Sequence, residues 1–168
     1  TEDTDTEDTD TEDTDTEDTT ADYEVFDSVV DASSREDWVY FDLETQAMVD
    51  ATSSDWDISF KRYEAKVNGG ISGSGAVEVA ALEGYYDAFE TTLRASPHQP
   101  WTTDSSDGLA FASWYNYNPN GHQVTPADVL YVVHTGDGDY YRFRFVSYYD
   151  SDGNSGFLSL EFGPVEGY

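Results

Sequence analysis

The chain has 168 residues, room for one ordinary domain and hardly two. Asp and Glu number 36 against 7 Lys and Arg, a formal charge of -29, yet 4 Trp, 13 Tyr and 9 Phe supply enough ring to fill a core. Such a surface repels phosphate backbones and anionic headgroups, which argues against nucleic-acid and peripheral-membrane binding.

No apolar run nears the roughly 18 residues of a membrane-spanning helix, so no direct membrane insertion is expected. The absence of cysteine removes disulfides, thiolate metal sites and Cys nucleophiles. Extreme acidity with almost no Lys fits an extracellular or high-salt setting. The missing initiator Met and signal peptide suggest a processed form.

Residues 1–20 read TEDTD three times and then TEDTT. They carry eleven acids, no base and no apolar side chain, and form an acidic tail or tether ahead of a single domain over residues 21–168. The body keeps a charge of about -18 by subtraction. Such a tail cannot bury enough apolar surface to offset its ordering entropy. It reads as a self-repelling spacer or, alternatively, as a tract that docks on divalent cations or a neighbouring molecule. An ordered tail is expected to lie extended, and its threonines are also potential glycan acceptors.

From Ala21 onward the pattern is mostly period two. Residues 38–43 read W-V-Y-F-D-L. Trp56, Ile58 and Phe60 alternate with Asp57, Ser59 and Lys61, as in a half-buried strand. Leu82, Tyr85, Tyr86, Phe89 and Leu93 fall at helical spacing and predict a short helix over residues 81–94. Residues 96–108 and 116–128 hold every proline except Pro164 and read as two long irregular loops, the kind that carry function. Residues 130–135, 141–146 and 158–162 predict an antiparallel meander turning at Asp137-Gly138 and at residues 152–155. The fold class is all-β: an antiparallel sandwich or open barrel-like sheet with one or two short helices.

Residues 53–75, SSDWDISFKRYEAKVNGGISGSG, resemble the signature of the HmuY-like haem-binding lipoprotein family. That signature is a Trp-Asp-aliphatic strand followed by an Asn-Gly-Gly-x-Ser-Gly-x-Gly loop. The stretch from Trp114-Tyr115 through the meander is similar to the family's C-terminal half, so the resemblance spans about residues 36–163. It implies a non-enzymatic surface lipoprotein that captures haem for a TonB-dependent outer-membrane receptor. The lipid-bearing Cys would precede residue 1, with residues 1–20 as tether, and the protein would be lipid-tethered or secreted.

Two neutral imidazoles from separate segments can bind haem iron on opposite faces. His98 and His122 lie in the two loops, with Trp101, Tyr115 and Tyr117 near enough in sequence to stack on a porphyrin. His134 sits inside a strand, where a pairing or core role is expected. Against haem stands the charge: propionates want Lys or Arg, and Arg142 and Arg144 alternate along one strand.

Other chemistry is thinner. Gly69, Gly70, Gly73 and Gly75 lack the Lys-Ser/Thr of a phosphate loop and read as a tight structural loop. Asp150, Asp152 and Asn154, with Glu161 at the twelfth place, have the acid spacing of a calcium loop. Ser155 stands where its glycine belongs, and the segment reads first as a hairpin turn. No G-x-S-x-G occurs, and no enzyme is expected. The rival function is structural: the same fold as a surface or filament subunit, self-associating through the tail.

Overall fold

A computed structural model describes residues 24–92 and 94–168. The acidic tail expected over residues 1–20, and Leu93 of the expected helix, lie outside the described residues.

The predicted meander forms as expected. Val129–His134 (β10), Tyr140–Tyr149 (β11) and Ser155–Pro164 (β12) are consecutive antiparallel strands. Two further strands that the sequence did not announce flank them. Phe26–Asp31 (β1) pairs with β12, and Glu78–Glu83 (β6) pairs with β10. Trp101–Thr102 (β7) closes the far edge, giving the order β1-β12-β11-β10-β6-β7. A second sheet is built from Val39–Asp42 (β2), Ala47–Val49 (β3), Ile58–Lys61 (β4) and Glu64–Val67 (β5), in the order β3-β2-β4-β5. Every named pairing is antiparallel, and neither sheet closes into a barrel.

The core lies between the sheets. Phe41 and Phe60 from one meet Phe162 and Phe145 from the other, with ring centroids 5.6 and 6.2 Å apart and edges towards faces. All four rings are buried, each contributing about 1.5–3 kcal/mol by leaving water.

Three expectations need correction. The helix over 81–94 is a strand up to Glu83 and then a single 3-10 stretch, Tyr86–Thr91. Leu82 is committed to the β6–β10 ladder, and Gly84 turns the chain at a φ of 77°. Arg142 and Arg144 hold this helix down from the sheet below. The Arg142 guanidinium lies 4.8 Å from the Phe89 ring, and that of Arg144 lies 4.8 Å from Tyr86. Arg144 also pairs with Glu161, so neither arginine is a spare anion donor.

Second, residues 56–60 are not half-buried: Asp57 and Ser59 are as inaccessible as their apolar neighbours. The Asp57 carboxylate accepts the Leu43 N–H at 2.9 Å. Third, the second supposed loop is mostly a hairpin, Tyr115–Asn118 (β8) with Gln123–Pro126 (β9).

Candidate functional site

The β8–β9 hairpin is pinned at its base. Trp114 stacks on Phe145 at 4.3 Å, and its indole N–H donates to the Tyr63 carbonyl at 2.8 Å. The Val124 N–H donates to the Tyr149 hydroxyl at 2.9 Å. These contacts bring the hairpin against the two-residue β4–β5 turn, Arg62-Tyr63, so that the Tyr63 and Tyr115 rings lie 5.5 Å apart.

Tyr63, Tyr115, Tyr117 and Val124 then line a groove of about 290 Å³. Burial, with Tyr63 and Glu64 nearby, raises the Tyr115 hydroxyl above its ordinary pKa, so it stays un-ionised. His122 follows at the hairpin tip with a φ of 51°, a left-handed conformation uncommon for a side-chain-bearing residue. Its Nδ1 lies 2.7 Å from the Tyr117 hydroxyl. Thus Tyr115 and Tyr117 line one groove with Tyr63, and His122 adjoins it through Tyr117.

Tyr63 also borders a groove of about 360 Å³ lined by Arg35, Lys61, Arg62 and Glu64. Arg62 is fixed by donating to the Ser33 and Ser155 carbonyls at 3.1 and 3.0 Å. Four of the seven bases lie between residues 35 and 66 in a chain that is otherwise acidic. That clustering was visible in the sequence; its meeting with Tyr115 and Tyr117 was not.

His98 lies elsewhere. It is exposed in the turn before β7, where its N–H donates to Ser96 Oγ at 3.3 Å. Trp101 belongs to this neighbourhood, its indole donating to the Ser96 carbonyl at 3.1 Å. Trp101 packs with His134, Tyr140 and Tyr168 rather than with Tyr115. No hydrogen bond or ring contact among the described residues joins this group to His122. His134 has the pairing role expected of it: its ring stacks on Tyr140 at 4.4 Å and faces Glu78 at 3.9 Å.

The calcium reading of Asp150, Asp152 and Asn154 gives way to a turn. Asp150 Oδ1 accepts the N–H groups of Asp152 and Asn154, and Oδ2 accepts the Asn154 amide at 2.8 Å. The Asn154 side chain, ahead of those backbone donors, lowers the Asp150 pKa. Both oxygens therefore serve the hairpin. Three other acids converge: oxygens of Asp42, Glu44 and Asp57 lie within 4.8 Å of one another, the one group of three at metal-ligand spacing among the described residues. Burial, followed in effect by Glu44, pushes Asp57 up to about 8. Glu44 is raised as well, chiefly by burial. A proton shared within the trio relieves their repulsion.

The family model described as HmuY protein matches residues 34–162. Among solved structures, the chain is similar to an HmuY-like haem-binding protein from Bacteroides vulgatus. The identity is 22% and the TM-score 0.62, over 82% of this chain and 90% of that one. A lipoprotein from Bacteroides fragilis is similar at 19% identity and a TM-score of 0.64, over 84% and 90%. The apo HmuY analogue of Tannerella forsythia is similar at 16% and 0.62, over 86% and 98%. At these identities the likeness is one of fold. No curated protein matches the chain.

Proposed function

Since this chain belongs to the HmuY family, we propose that it is a non-enzymatic haem-binding protein and that haem sits in the tyrosine groove beside His122. The carrying observation is the meeting of three tyrosine rings, one tethered imidazole and a neighbouring basic groove in a strongly acidic protein.

The residues fit the group. Tyr63, Tyr115 and Tyr117 offer ring surface to a porphyrin, and Arg35, Lys61 and Arg62 offer donors to its propionates. Bound haem would supply an iron able to take an imidazole nitrogen. With the His122 proton on Nδ1 and donated to Tyr117 Oη, the Nε2 lone pair is left for that iron. His98 is the proposed second iron ligand, and because its exposed turn lies apart from the groove, that turn would have to move onto the bound haem. The protein would act at the cell surface or outside it, lipid-tethered or secreted, and hand haem to a TonB-dependent outer-membrane receptor. The filament-subunit alternative rests on the tail, outside the described residues, and is carried no further.

The test is an absorbance titration with ferric haem near neutral pH. Wild type should give saturable binding with a sharpened Soret band. His122→Ala and His98→Ala should each bind about tenfold or more weakly, as loss of a metal ligand commonly does. His134→Ala should match wild type, because that ring is engaged with Tyr140 and Glu78. Absence of saturable binding, or unchanged binding in both ligand variants, would refute the assignment.

A further inference from the structure

The chain has only two lysines, and both lie over one ring. Lys66 Nζ is 3.8 Å from the Trp38 centroid, and Lys61 Nζ is 4.8 Å from it. Lys61 also reaches Glu64 at 3.8 Å. Lys66 has no carboxylate at ion-pairing distance among the described residues. In a body where acids outnumber bases more than threefold, a lysine held on an indole and kept from every acid among the described residues is a cation left for a ligand.

The register puts that cation in a pocket. Lys66 on β5 faces Ser59 on β4, and Ser59 faces Tyr40 on β2, a row on the side of the sheet away from the core. Although on the outer side, Ser59 is only 1% exposed, because Trp56 and neighbouring loops cover it. Trp56 stands edge-on to Tyr40 at 5.2 Å. The resulting pocket, about 280 Å³, is floored by Trp38, Tyr40 and Trp56 and walled by hydroxyls that include Ser53 and Ser72.

Its wall is built in advance by the glycine loop. Asn68 donates through Nδ2 to the Ser54 and Trp56 carbonyls, at 2.9 and 2.7 Å, and accepts the Gly75 N–H at 3.0 Å. A Cβ on Gly73 would stand 2.1 Å from Asn68 Oδ1, so the loop can close on Asn68 only as glycine. The glycine loop of the family signature thus shapes this pocket rather than the tyrosine groove.

We propose that this pocket binds a carboxylated pyranose, a uronic or sialic acid at the end of a glycan. Sugar C–H faces lie on aromatic rings, hydroxyls pair with the serine walls, and the carboxylate takes the Lys66 ammonium. A simple inorganic anion leaves the rings unused, and a flat aromatic acid leaves the serines unused. The volume is at the floor of the roughly 300–1,000 Å³ range of small-molecule sites, which suits one sugar ring.

The test is calorimetric titration of the full chain with D-glucuronate and with N-acetylneuraminate, using D-glucose and benzoate as controls. At least one acidic sugar should bind saturably, and more tightly than glucose or benzoate. Lys66→Met should weaken that binding by about tenfold or more, the scale of a lost charge-assisted hydrogen bond, and Lys66→Arg should restore part of it. The haem titration of Lys66→Met should match wild type, which keeps this site separable from the haem reading. The proposal is overturned if neither acidic sugar binds saturably, if benzoate binds as tightly, or if a folded Lys66→Met binds like wild type.

Discussion

The acidic trio beneath the β2–β4 junction makes stability depend on pH in a direction unusual for a carboxylate. Asp42 and Asp57 are 6% and 3% exposed, and Asp42 already accepts the N–H groups of Glu44 and Thr45. Burial first, then Glu44, lifts Asp57 from 3.8 to about 8. Between those values the folded chain keeps a proton that the unfolded chain has released, so stability falls as pH rises through that window. At about 1.4 kcal/mol per pKa unit the ceiling on the loss is about 6 kcal/mol, and Glu44, which shares the proton, takes part of it. Asp57→Asn keeps the shape and an acceptor for the Leu43 N–H while removing the charge. Urea unfolding should be followed from pH 4.5 to 8.5 at high, constant salt, which screens the surface acids. Wild type should lose stability steadily with pH, and Asp57→Asn should be flatter and more stable at pH 8. A flat wild-type profile, or equal slopes in the two proteins, would refute the shared proton.

Trp114→Ala should cost about 3–5 kcal/mol in urea unfolding, since a buried indole and its bond to the Tyr63 carbonyl are both lost. Gly73→Ala should cost about 1–3 kcal/mol by forcing the loop off Asn68, measurable as a lower Tm. The body's excess of acids should slow the approach of anionic haem, so its stopped-flow association rate should rise with salt before levelling off.

What the sequence conveyed follows from where its signals are local. The β10–β12 meander was readable because strong alternation and Asp-Gly turns sit next to each other in the chain. The β8–β9 hairpin was not, because its asparagines and prolines mimic an irregular loop and its partner strands are short. Asp57 and Ser59 looked solvent-facing by period two. Their burial comes from the loops around residues 51–54 and 72–75, which no alternation reports. Tyr117 and His122 were in view as residues, but Tyr63 joins them through long-range contacts, the Tyr115 ring and the Trp114 indole, the latter across 51 positions.

The central claim is that His122 would hold the iron of haem in the tyrosine groove. Electron paramagnetic resonance of the frozen ferric complex reads axial ligation directly. Wild type should give a low-spin signal, and His122→Ala should lose it in favour of a high-spin one, while His134→Ala keeps the wild-type spectrum. A spectrum unchanged by His122→Ala, in a protein that still binds haem, would contradict the account.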